Sequence, residues 1–134
     1  MFAWPACQTA QQVNKRGFAL SDECGKLKGI KQQLALLARR KKSRVWNWNP
    51  DCPTEWQPTQ VIDPRSGNPF THDGAWDFIA ERLEQENTVI EEVILDNPPK
   101  KKAYVLREST SHGEIYIKIH FGNGGKIKGR SFHY

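Results

Sequence analysis

Nowhere in the 134-residue chain is there an apolar run approaching the roughly 18 residues of a membrane span, so no membrane-crossing helix is expected. Met1 to Ala10 lack the charged start and apolar stretch of a secretory signal, and the expected address is the cytoplasm. Cysteine is scarce. Cys7, Cys24 and Cys52 are odd in number and widely spaced, which argues against a disulfide framework and leaves reduced thiols as the simpler reading. With His72 they supply the residue types of a small zinc module, yet no pair has the short spacing of a metal knuckle. No glycine-rich phosphate loop precedes a helix, since Gly122-Asn123-Gly124-Gly125 lies between two strand patterns, and no serine or cysteine nucleophile motif stands out. The chain is also too short for two well-buried cores, which rules out a multidomain enzyme.

What is present suits a small polar protein with one core. Mean hydropathy is −0.72, but 5 Trp, 6 Phe and 3 Tyr supply bulky apolar side chains. The formal net charge of +5 is unevenly spread. Residues 26–50 hold eight basic side chains (Lys26, Lys28, Lys31, Arg39, Arg40, Lys41, Lys42, Arg44) and no acidic one, whereas 51–97 hold eleven acidic against two basic, Arg65 and Arg82. Residues 98–134 return to eight basic against two acidic. Two basic segments bracketing an acidic one suggest a polyanion-facing surface assembled from both ends of the chain, although ordinary solvated charge fits as well.

The first twenty residues, with Pro5 and Gly17, show no clean period and read as loop or a short helix. Ser21-Asp22-Glu23 then has the chemistry of a helix start, and Leu27, Ile30, Leu34 and Leu37 form one apolar stripe closed by Arg39 to Lys42, despite Gly25 and Gly29. Arg44 to Pro69 is dense in Trp, Asn and Pro, which excludes a helix or central strand and implies an ordered loop pinned by aromatics. Trp46, Trp48 and Trp56 either stack on bases or fill the core beneath that loop. A helix is expected from Asp73 to Gln85, capped by Thr71 or Asp73, with Trp76, Ile79, Ala80 and Leu83 on the face packed against a sheet. Val89 to Leu95 fits a short helix or a strand, and a helical turn is expected. Strands follow at Ala103 to Glu108, Glu114 to Phe121 and Lys126 to Tyr134. Ile127 and Phe132 stand at opposite parity in the last one, so a bulge is expected at Gly129. The expected class is α+β: helices packed on one face of a small antiparallel sheet ending in a C-terminal β-hairpin. Residues 1–50 read as a basic helical extension and 51–134 as the core, together one compact unit.

With that bulge the polar sheet face collects Tyr116, Lys118, His120 and His133, together with Ser131, and draws in Arg107, Glu114 and Arg130. Metal-independent RNA cleavage needs a base for the ribose 2′-OH, an acid for the leaving 5′-oxygen and cations for the crowded phosphorane. His, Tyr, Lys and Arg can fill those roles. A solvated strand face would be polar too.

Ile115-Tyr116-Ile117-Lys118-Ile119, a turn, and Lys126-Ile-Lys-Gly-Arg-Ser-Phe-His133 resemble the C-terminal hairpin of the MqsR-type messenger RNA interferases, relatives of RelE-like and barnase-like ribonuclease toxins. The match spans roughly Pro98 to Tyr134, with looser agreement for the helix at 73–85. It implies a toxin-like endoribonuclease on an α+β sheet, with no metal or cofactor, that acts on RNA either free or on the ribosome. Its control would fall to a cognate acidic antitoxin or immunity protein. The family's catalytic Tyr falls on Tyr116 and its Tyr-x-Lys lysine on Lys118, while the basic residue after Ser-Phe is His133, where better-known members carry Lys. On this reading His133 is general acid or base, Tyr116 its partner, Lys118, Arg130 and Arg107 phosphate clamps, and His120 a reserve. Lys126, Lys128, Arg39, Arg40, Lys41 and Lys42 would extend the RNA-binding track. The competing class is a non-catalytic nucleic-acid-binding or phage-type inhibitor protein using the same basic surfaces.

Overall fold

The computed structural model describes residues 19–96 and 99–134, with side chains from Gly25 onward. Residues 1–18, expected as loop or a short helix, and the Cys7 and Cys24 thiols lie outside the described part, whereas Ser21, the expected helix start, is the third residue of a helix that already begins at Ala19. Helix α1 spans Ala19–Arg39, followed by a 3-10 turn at Lys41–Ser43. Two short strands, β1 (Arg44–Val45) and β2 (Glu55–Trp56), precede a second 3-10 turn at Pro58–Gln60 and helix α2 (His72–Glu84). Strands β3 (Glu91–Ile94), β4 (Lys102–Thr110), β5 (Gly113–Phe121) and β6 (Ile127–His133) complete the order. The class is α+β, as the sequence pattern implies. The six-stranded sheet runs β1-β6-β5-β4-β3, with β2 also paired to β6. It is mixed rather than purely antiparallel, because β1 and β2 both run parallel to β6.

Helical periodicity sets how the two helices pack. Leu34 of the α1 stripe is fully buried, and Leu27, Ile30 and Leu37 lie against the same core as the α2 face of Trp76, Ile79, Ala80 and Leu83. Thr71 caps α2, its hydroxyl accepting from the Gly74 N–H at 2.9 Å. Three basic side chains fasten the pair. The Arg44 guanidinium, only 1% exposed, donates to the Ala38 carbonyl and reaches Asp73 and Asp77 at 3.1 and 2.7 Å. Lys31 sends its ammonium to the backbone oxygens of Gln85, Glu86 and Thr88, just past the end of α2. Arg39 forks onto Glu84 with two contacts of 2.8 Å.

Two local expectations give way to long-range pairing. Glu91 to Ile94 is strand, not a helical turn, because it pairs antiparallel with Lys102–Val105 and so satisfies backbone groups that an isolated turn would leave to water. Within Arg44 to Pro69, β1 and β2 are strand only over two residues each, at the sheet edge, where the flanking prolines cost no ladder bond.

The bulge appears where parity demands it. Ile119 opposes Gly129 and Lys118 opposes Ser131, so Arg130 is the extra residue. Ile127 and Phe132 are consequently both fully buried. A Cβ on Gly129 would lie 2.5 Å from the Trp56 ring, which stacks on Trp76 and meets Phe132 edge-on. Glycine is therefore required by close approach. Replacing Gly129 with Ala is expected to cost about 1–3 kcal/mol, measured as a lower denaturant midpoint. Gly29→Ala, whose Cβ meets nothing within 4 Å, is expected to gain up to about 1 kcal/mol as helix propensity improves. Equal midpoints for the two variants would contradict this account.

Candidate functional site

The outer face of the sheet divides into an open row and a covered one. In the open row Arg107, Tyr116 and His133 are direct cross-strand neighbours. The Tyr116 and His133 rings stack at 5.5 Å and 24°, and the Arg107 guanidinium lies 5.4 Å from the Tyr116 centroid on what becomes a continuous ladder. Arg107 also meets Glu91 at 3.5 Å. Lys118, half-buried, stands between Val105 and Ser131 on the same face. The chemistry of the imidazole follows from its neighbour: His133 Nδ1 is 2.8 Å from the Tyr134 backbone oxygen. A carbonyl oxygen only accepts, so Nδ1 carries the hydrogen and the neutral ring presents its Nε2 lone pair. Tyr134 is itself anchored, its hydroxyl accepting from the Ile62 N–H at 2.9 Å.

Along β5 and β6 toward the turn, the polar face is covered by the chain between β1 and β2. His120 is 4% exposed, Lys128 and Arg130 6% each, and Ser131 3%. Arg130 Nε donates to the Pro53 carbonyl at 2.8 Å, and Lys128 donates to the Asn47 carbonyl. His120 Nδ1 donates to the Phe121 carbonyl at 2.8 Å, which leaves Nε2 facing Arg130 Nη1 at 3.4 Å. Burial pushes its pKa down to about 4, reinforced by the charges of Arg130, Lys101 and Lys128 and opposed by the Phe121 hydrogen bond. His120 is thus a neutral structural bridge at physiological pH, and Arg130 a tie for the loop. Burial likewise lowers the Lys128 pKa, with Cys52 acting in the opposite sense.

The N-terminal basic tract is split. Arg39 is committed to Glu84, whereas Arg40, Lys41 and Lys42 are exposed. Lys126 donates to the Lys42 carbonyl at 2.6 Å, so the two basic ends of the sequence do meet beside the β5–β6 turn. Of the three loop tryptophans, Trp46 stacks on His72 at 5.3 Å and Trp56 on Trp76 at 4.9 Å, while Trp48 is 62% exposed. Among the described residues no group of three His, Cys, Asp or Glu side chains is placed to hold a metal. Sequence reasoning overlooked Lys101, which faces His120 across a cleft at the turn. The Lys100 to Lys102 run at the start of β4 was the available signal.

The His120 imidazole is expected to titrate near pH 4 in the fold and near 6.5 once unfolded. Between those values the unfolded chain binds the extra proton, so stability present above pH 6.5 is lost as pH falls toward 4, by up to about 1.4 kcal/mol per unit. Imidazole NMR read against denaturant midpoints checks both; a His120 ring titrating near 6.5 would refute the buried bridge. No protein-family model matches the chain, and neither the curated proteins nor the solved structures contain a match.

Proposed function

We propose that the chain is a metal-independent endoribonuclease of the toxin type, and the observation that carries this reading is the Arg107–Tyr116–His133 ladder on the uncovered part of the sheet. His133 Nε2 takes the 2′-OH proton as the 2′-oxygen attacks phosphorus. Tyr116 donates its phenolic proton to the 5′-oxygen as the P–O5′ bond breaks, leaving a 2′,3′-cyclic phosphate and a 5′-hydroxyl. Arg107 and Lys118 hold the phosphate and offset the charge that gathers on its free oxygens. Stacking at 5.5 Å holds the Tyr116 and His133 rings next to each other, close enough to serve the same phosphate. His120 and Arg130 lie on the same face farther along the strands and are withdrawn from the chemistry, their side chains being engaged with Phe121, each other and Pro53. Exposed Arg40, Lys41 and Lys42 extend the electrostatic track for RNA. The same positive surface suits an acidic antitoxin or immunity protein as the neutralising partner.

Incubation with total RNA and with translating ribosomes in EDTA, followed by mapping of new ends, tests the reading. Cyclic phosphate ends are expected. His133→Ala and Tyr116→Phe should each slow cleavage by about 100-fold or more with an unchanged circular dichroism spectrum. Salt-sensitive RNA binding without scission would replace the enzyme by a nucleic-acid-binding protein.

A further inference from the structure

A cleft of about 460 Å³ lies between the β5–β6 turn, the segment joining β1 to β2, and the residue preceding β4. That volume falls in the range of small-ligand sites, about 300–1,000 Å³. Three ammonium groups line it, Lys101, Lys126 and Lys128, against one carboxylate, Asp51, and the neutral imidazole of His120. No ion pair engages any of the three lysines among the described residues. Lys126 and Lys128 each commit one N–H to a backbone carbonyl, of Lys42 and Asn47. An ammonium has three donors, so each retains two, and a carbonyl fixes the group without neutralising it. The result is a concave site with an excess of positive charge, two of its three ammonium groups held in place, suited to a compact anion of more than one charge.

Its position relates it to the ladder. His120 and Tyr116 are four residues apart on one face of β5, about 13 Å at ~3.3 Å per residue, with Lys118 midway. Trp48, exposed, stands between Asn47, which Lys128 holds, and Asn49, which lines the cleft. An aromatic surface is therefore available at the rim for a base.

We infer that this cleft is a phosphate subsite for single-stranded RNA, holding a backbone phosphate to one side of the scissile bond while Trp48 stacks on a neighbouring base. The identity of the strand rests on the ribonuclease reading, but the phosphate chemistry is measurable without it.

Cys52 lines the cleft and is half-buried, so its alkylation reports occupancy. The full chain is treated with iodoacetamide in the presence of inorganic pyrophosphate, adenosine 5′-monophosphate or uncharged adenosine, and peptide mass mapping separates Cys52 from Cys7 and Cys24. Both anions are expected to slow Cys52 alkylation, with protection falling as salt rises, and adenosine is expected to have no effect. Lys101→Glu should abolish that protection and lower the salt slope of binding to a single-stranded RNA hexamer by about one or more. Equal alkylation with and without the anions overturns the subsite. Protection by the monophosphate with hexamer binding unmoved in Lys101→Glu makes the cleft a free-nucleotide site and overturns the strand assignment. Protection in a protein that cleaves no RNA upholds the phosphate site and removes only the Tyr116–His133 chemistry.

Discussion

Everything on the sheet depends on β6 changing parity between Gly129 and Arg130 while it pairs along both edges. One extra residue lets Ile127 and Phe132 point inward from positions that a regular strand would send to opposite faces. The missing Gly129 side chain leaves room for the Trp56 ring, which ties that edge to Trp76 of α2. The same shift brings His133 out beside Tyr116. Core packing and the candidate chemistry therefore rest on one backbone irregularity, and a change that removed it would disturb both together.

A second theme is how the chain uses its basic residues. Lys31, Arg44, Lys126, Lys128 and Arg130 all donate to backbone carbonyls near helix ends, in the 3-10 turn at Lys41–Ser43 or in the segment joining β1 to β2. Long cationic side chains suit this work because their stems pack while their heads reach otherwise unsatisfied oxygens. Much of the positive charge is thus structural. Arg40, Lys41 and Lys42 stay exposed, and Lys126 and Lys128 keep two N–H donors each after their carbonyl bonds.

The parts legible in the sequence were those in which local pattern and tertiary role agree. Trp76, Ile79, Ala80 and Leu83 declared α2, and Ile115, Ile117 and Ile119 declared β5, because each is buried on the face that its period marks. The bulge was legible because Ile127 and Phe132 conflict without it. The strand β3 was not, since Glu91-Glu92 breaks alternation and its partner lies beyond a turn. Nor were β1 and β2, which exist only through pairing with β6. For the site, alternation placed His120 and Lys128 on the polar face correctly. It could not reveal that the chain from Asn47 to Pro53 folds over them, because that cover is made by residues about eighty positions away in sequence.

Lys31 gives α2 an unusual ending. A helix C-terminus ordinarily frays because its last carbonyls have no intrahelical donor. Here an ammonium carried by α1 gathers the oxygens of Gln85, Glu86 and Thr88 into one cluster. The segment between α2 and β3 is therefore tied to α1. In hydrogen-exchange terms, opening of the exit from α2 is coupled to loss of the Lys31 contacts that α1 supplies.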